Sequence, residues 1–265
     1  MLPTYQLEGR DYQILFLYLF LCVGIYGRDW TLPPWQFPVL LSSCLVTQGL
    51  WSRGQPFNWK SPTITALSLT LLLRSSCWWM LVLAAVLAIS SKFIFCHSGK
   101  HCFNPANFGI VLTLGTGAAW VSPGQWGNDL WLSLLFVGLG GIVLRRVGRW
   151  DTSVVFLCTY GGLLLLRNIY LGWSLDVFAH QIMSGSLLLF ALFMITDPRS
   201  IPDSMPLRLI WASLIAVVGF MLQFGWQQTD AIFYALFIVS PLTVWLDRFQ
   251  SVPRFQWQGN ANIAV

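Results

Sequence analysis

The stretch "KHCFNPANFGI", residues 100–110, sets a lysine, a histidine, two asparagines and a proline at the mouth of an apolar run. Pro105 lacks an N–H and suits the first turn of a helix, and Asn104 suits the cap before it. Such a start is ordinary in water. Here it opens into residues that carry almost no charge, and the whole chain shares that character. Of 265 residues, 56% are hydrophobic and only 9% charged, against about 25% charged in a soluble domain. So few charges cannot cover a water-facing surface. The composition therefore indicates an all-α polytopic membrane protein, in which each span satisfies its own backbone hydrogen bonds.

Ten apolar runs can be drawn, at about 11–27, 35–51, 62–74, 77–95, 103–121, 129–144, 152–172, 177–196, 207–224 and 230–247. A full span needs about 20 residues, so the third and sixth runs read as short. The basic residues test the count. Twelve of the 15 Lys and Arg fall on the side of the N-terminal tail, the even-numbered connections and the C-terminus. Three, Arg28, Arg74 and Arg167, fall on the other. The positive-inside rule then places both termini in the cytoplasm, in the inner or cytoplasmic membrane. A basic balance of this kind points to anionic lipid headgroups as partners, and no feature points to nucleic acid. No cleavable signal peptide is expected, because the first run lacks a basic leader and a small-residue cleavage site.

The chain reads as a single integral membrane domain, 1–265. Ten spans divide into five plus five, and an odd-numbered unit repeated in tandem must be inverted in the membrane, which gives possible repeats at 11–121 and 129–247. "TITALSLTLLLRSS" and "SGSLLLFALFMITDP" share small hydroxylated residues, an apolar run and a turn. Asn128-Asp129, Asp151-Thr152 and Thr229-Asp230 each precede a run and read as helix caps. Trp30, Trp35, Trp120, Trp126, Trp150 and Trp173 lie at run ends, as an interfacial belt requires. Most of the six Cys lie in apolar runs, where they act as small hydrophobes. "CHSGKHC", residues 96–102, offers thiols and imidazoles, but its spacing fits no zinc pattern and no metal is expected.

Two segments could carry chemistry. His101, Asn104 and Asn107 lie within about one helical turn, and Asn104 and Asn107 can share a face. Amides at membrane depth suit a polar planar ligand, since each offers donors and an acceptor. Helix capping explains Asn104 equally well. The second segment, residues 180–204, holds Ser184-Gly185-Ser186, small residues that permit close helix approach. It ends in Thr196-Asp197-Pro198, where Asp197 is an ionisable residue at the membrane boundary.

"GKHCFNPANFGIVL", followed much later by "MSGSLLLFALFMITDP" and "DAIFYALFIVSPLTVWLDRF", resembles the RnfD/NqrB family of membrane proteins from the Rnf and Nqr complexes. That family carries an F-N-P-A helix start and an S-G-[AS]-x-x-x-x-A-x-F-x-x-T-D-P helix. The resemblance implies a urea-transporter-like fold of two inverted five-helix repeats, within ion-pumping redox complexes that contain flavin. In Nqr-type members an N-x-x-N pair approaches a non-covalent riboflavin; the second asparagine is matched by Asn104, and the first falls on His101. The threonine that accepts FMN covalently in the family has no counterpart in residues 121–128.

The expectation is a membrane subunit for electron transfer coupled to cation transport, with riboflavin or FMN held non-covalently and no covalent FMN. Its cofactor-binding candidates are His101, Asn104, Asn107, Ser184, Gly185 and Ser186, in one polar site, with Asp197 a boundary acid. Other membrane or redox subunits are implied, because the chain has no dinucleotide fingerprint and no iron–sulfur cysteine pattern. The alternative is a stand-alone channel or transporter for a small solute.

Overall fold

The computed structural model describes residues 7–28, 30–53, 57–97, 99–121, 126, 129–249 and 252–255. The chain is mostly helical. Its first half comprises α1 (Gly9–Cys22, extended by a π-turn at Val23–Gly27), α2 (Gln36–Trp51), α3 (Lys60–Leu72), α4 (Trp78–Ile94) and α5 (Pro105–Leu114). The second half comprises α6 (Leu130–Val147), α7 (Trp150–Tyr170), α8 (Leu175–Ile182), α9 (Gly185–Leu189, continued as a π-turn at Phe190–Met194), α10 (Met205–Gly225), α11 (Ala231–Val239) and α12 (Leu242–Leu246). Every one of the ten apolar runs holds helix. Three helices, α6, α7 and α10, are long and apolar enough to cross a bilayer, and a fourth crossing arises if α8 and α9, bent by 46°, form one span.

Four runs differ from their sequence reading; the eighth, drawn as one run at 177–196, breaks between Ile182 and Gly185 with the 46° bend. The fifth, expected to continue to residue 121, ends its helix at Leu114, and Gly117 adopts a positive φ of 71°. The chain then forms β4 (Ala119–Val121), which pairs antiparallel with β1 (Leu73–Ser75), directly after α3. Two half-length helices are thus joined at their ends by a ribbon, with Leu73, Ala119 and Val121 buried. Such non-helical backbone is tolerated at depth only when protein covers it. The sixth run, read as short, is an 18-residue helix, because Arg145 and Arg146 extend its last turn and Gly148 ends it in the left-handed conformation. The tenth breaks between α11 and α12 at Ser240-Pro241, since proline lacks the N–H that would continue the ladder.

In the first half α3 packs on α1 and α2, α4 on α2, and α5 on α4. In the second half α9 packs on α6, α8 on α7, α10 on α7, and α11 on α10. The halves meet where α1 packs on α6 and α5 on α11. The α4–α5 contact depends on Gly109: a Cβ there would lie 2.5 Å from the Ala84 carbonyl oxygen.

Helix starts fall where expected, but the acids do other work. Asp129 is the residue before α6, yet its carboxylate pairs with Arg28 and makes no capping bond. Asp151 lies inside the first turn of α7 and binds Arg208 at 2.8 and 3.0 Å. Asp230 precedes α11 and makes no side-chain capping bond. A nearby guanidinium offers a carboxylate a stronger, charge-assisted partner than a backbone N–H. Near the Asp151 end, Lys100 of the hairpin formed by β2 (Cys96–His97) and β3 (Lys100–His101) bridges Asp247 at 2.6 Å and Asp203 at 3.1 Å. Trp126, expected in an interfacial belt, is instead fully buried against Phe20, Trp30 and Phe136, and it packs on Gly185, where the absence of a side chain leaves room for it.

Candidate functional site

Two polar cavities lie at opposite ends of the helices. The first is lined by Ser61 and Thr65 near the start of α3, Lys92 near the end of α4, His101 and Asn104 at the start of α5, and Asp197. Its volume is about 90 Å3. The second, about 200 Å3, is lined by Tyr160 of α7, Gln181, Ser184 and Ser186 around the α8–α9 bend, Gln223 near the end of α10, and Asp230 at the start of α11. A larger recess of about 480 Å3 between α6, α7 and α8 is apolar, lined by residues such as Leu134, Leu157 and Phe178.

The predicted site residues are divided between these places. Asn104 is the cap of α5: its Oδ1 accepts the Asn107 N–H at 3.0 Å. Its Nδ2 donates to the Met194 carbonyl at 3.1 Å. Both ends of that amide are therefore engaged within the protein. Asn107 is turned away from the cavity; its Nδ2 donates to the Phe233 carbonyl at 3.1 Å, and its Oδ1 is buried without a partner among the described residues. His101 lines the first cavity. Its backbone N–H donates to the Arg199 carbonyl at 3.0 Å, and its Nδ1 is buried without a hydrogen-bond partner among the described residues. Burial, reinforced by the positive charges of Arg199 and Lys92, pushes the imidazole pKa down to about 3, so the ring is neutral. Asp197 lines the same cavity and accepts the Arg199 N–H at 3.2 Å.

Ser184 and Ser186 line the second cavity, so they do not face the Asn104 amide across one site. Gly185 touches no ligand space. A Cβ there would lie 2.4 Å from the Trp126 Cβ, which makes glycine a packing requirement. The single polar site expected from the sequence is not assembled: His101 and Asn104 line one cavity, and Ser184 and Ser186 line another. The physical reason is direction. Helices α5 and α9 begin at opposite ends of the molecule, so their polar first turns cannot meet.

Sequence reasoning missed Lys92. Its ammonium is buried, 5% exposed, and donates to Gln48 Oε1 at 2.8 Å and Ser61 Oγ at 3.0 Å, with no carboxylate in ion-pairing range among the described residues. The available signal was a lysine inside an apolar run, "AISSKFIF", which counted only toward topology. Gln223, Tyr160 and Asp230 were missed as a group because they are far apart in sequence and meet only through packing.

Comparison with known proteins adds identity to this geometry. The chain is similar to several proteins named as the D subunit of the ion-translocating oxidoreductase complex. One from Stutzerimonas stutzeri is 31% identical over 155 residues, covering 52% of this chain and 42% of that protein. One from Escherichia fergusonii is 28% identical over 160 residues, covering 60% of this chain and 42% of its own length. One from Citrobacter koseri is 27% identical over 160 residues, covering 60% and 43%. The chain thus spans about two-fifths of the length of these curated relatives. A family model described as "NQR2, RnfD, RnfE family" matches residues 116–255, which takes in Ser184, Ser186, Asp197 and Asp230 and begins after Asn107. With more than half of its 265 residues matched, and with the F-N-P-A and T-D-P helices set in one helical membrane body, the chain belongs to the NQR2, RnfD, RnfE family.

Proposed function

We propose that this chain is a membrane subunit of an ion-translocating electron-transfer complex, assembled with other membrane or redox subunits. The observation that carries the reading is the first cavity: a helix start, a neutral imidazole and a buried ammonium enclosed in an apolar helical body. We propose further that the chain forms ten spans in two inverted repeats, an arrangement that the order of helix packing suits. α3 packs on α1 and α2, then α4 on α2 and α5 on α4; α8–α9 pack on α7 and α6, then α10 on α7 and α11 on α10. The two cavities use the corresponding parts, the starts of α3 and α5 in one and of α9 and α11 in the other. The 12-to-3 division of basic residues supports cytoplasmic termini in the inner membrane.

The cofactor assigned to the first cavity is a flavin held non-covalently. The residues suit it: the unpartnered His101 Nδ1, the Lys92 ammonium and the partly positive start of α5 favour the carbonyl-rich edge of the ring. A space of about 90 Å3 takes such an edge and not three rings, which suits a site completed by a partner subunit. When bound, the flavin would supply one- or two-electron transfer. Covalent FMN is not expected, since no threonine lies in residues 121–128, most of which fall outside the described residues.

Purified protein should show flavin absorbance that acid precipitation releases into the supernatant. A colourless preparation, or fluorescence that stays on the denatured band, contradicts the assignment. One observation favours a second reading, a small-solute channel: a polar cavity lies toward each end of the helical body. A colourless protein that carries solute flux in liposomes would select it.

A further inference from the structure

We infer that the first cavity reads an imide edge, an N–H set between two carbonyls, with Asp197 accepting from the N–H and Lys92 donating to a carbonyl. The inference rests on the flavin reading and specifies how that ring is recognised. The charges of the lining lead there. Five of its side chains can carry charge: Arg10, Lys92, His101, Asp197 and Arg199. Arg10 is ion-paired with Glu8 at 2.8 Å. Arg199 is drawn to the hairpin, where its Nη2 donates to the Gly99 carbonyl at 2.9 Å. His101 is neutral. That leaves one ammonium and one carboxylate on the same cavity, and the Lys92 ammonium does not reach Asp197 to pair with it.

Each charge is held by its own element. Lys92, on α4, spends two of its three N–H donors on Gln48 of α2 and Ser61 of α3. Asp197 stands in the turn after α9, where its Oδ1 accepts the Arg199 N–H at 3.2 Å and Ser200 lies beside the carboxylate. A carboxylate has about four lone-pair sites, so capacity to accept remains. Opposite charges held apart across a small space restrict what can fill it. A lone cation is repelled by Lys92, and a lone anion by Asp197. A neutral ligand that offers an acceptor to one and a donor to the other satisfies both, and such charge-assisted bonds are the strong ones. The pyrimidine edge of a flavin has this pattern, with N3–H between the C2 and C4 carbonyls. A space of about 90 Å3 admits that edge.

The test uses purified full-length protein in detergent and two ligands, riboflavin and its N3-methyl derivative, which keeps both carbonyls and lacks the N–H. The protein is equilibrated with an excess of both, freed of unbound ligand by gel filtration and acid-precipitated, and the released flavins are separated and quantified. Wild type should prefer riboflavin by about 10- to 150-fold. Equal occupancy overturns the inference and leaves the flavin reading standing, whereas release of neither flavin overturns both. Asp197→Asn isolates the acceptor. Only the amide oxygen can take the Arg199 N–H, so the turn is kept and the Nδ2 donor is set toward the cavity. That variant should bind riboflavin as weakly as the N3-methyl derivative. A preference that persists there means the methyl is rejected by size alone and overturns the role of Asp197. Lys92→Met should weaken both ligands alike and keep their ratio, since both carry the carbonyls. An unchanged riboflavin affinity, read by fluorescence quenching, overturns the Lys92 contact. Should Asp197→Asn not accumulate, the N3 proton of 15N-labelled riboflavin on wild type decides. A downfield, slowly exchanging resonance is expected, and exchange as fast as in free riboflavin overturns the contact.

Discussion

Asn104 has both ends of its amide bonded within the protein, and this sets its sensitivity. Asn104→Asp keeps the capping oxygen but loses the donor to the Met194 carbonyl, so it should cost roughly 1–3 kcal/mol, and Asn104→Leu, which loses both, should cost more. Thermal unfolding in detergent ranks the two. The lysines make a sharper contrast. Lys100 bridges Asp203 and Asp247, so Lys100→Met leaves one buried and one partly buried carboxylate without their cation and should cost about 3 kcal/mol. Lys92 rests on neutral oxygens, so Lys92→Met removes a buried charge along with two hydrogen bonds and should change stability by about 1 kcal/mol or less. Equal effects on Tm would contradict this account. His101 supplies a pH dependence. Its folded pKa, about 3, lies below its usual 6.5, so the unfolded chain takes up the proton first as pH falls. The stability tied to the neutral ring is complete above pH 6.5 and declines toward pH 3, by at most about 1.4 kcal/mol per pH unit. His101→Gln should flatten the slope between pH 6.5 and 4.

At the scale of elements, the half-helices depend on close approach. Gly109 sets α5 against Ala84 and Ala88 of α4, and a Cβ there would meet the Ala84 carbonyl oxygen at 2.5 Å. Gly109→Ala should therefore push the helices apart and cost roughly 1–3 kcal/mol. Gly138, inside α6, has no atom within 4 Å of a would-be Cβ, so Gly138→Ala should be neutral or slightly stabilising through helix propensity. The two Tm shifts should have opposite signs, or differ by several degrees. The F-N-P-A start made the beginning of α5 legible from residues alone, because a cap and a proline are local signals. Its end at Leu114 was not legible. Apolar residues continue to 121, and the strand pairing with Leu73–Ser75 that stops the helix comes from 44 or more positions earlier in the chain.

For the whole molecule, the proposed topology puts the α6–α7 connection in the cytoplasm and the α7–α8 connection outside. In a background without native cysteines, a cysteine at Arg146 should react with an impermeant maleimide only after the membrane is opened. One at Trp173 should react in intact cells. Both side chains are exposed, so a reversed pattern would overturn the orientation and not reflect burial.

By itself the sequence determined the membrane class, the helix in each of the ten apolar runs, the capped start of α5 and, through its motifs, the family. These follow from composition and from contacts within a turn or two of the chain. Only the tertiary structure decided where the polar residues go. Asn104 reaches Met194 across 90 positions and Lys100 reaches Asp247 across 147. It also sent Ser184 and Ser186 to a different cavity from His101 and Asn104, and set Lys92 on the neutral oxygens of Gln48 and Ser61. Hydrophobicity fixes which segments are buried. The direction and pairing of helices fix which side chains meet, and no local pattern encodes that.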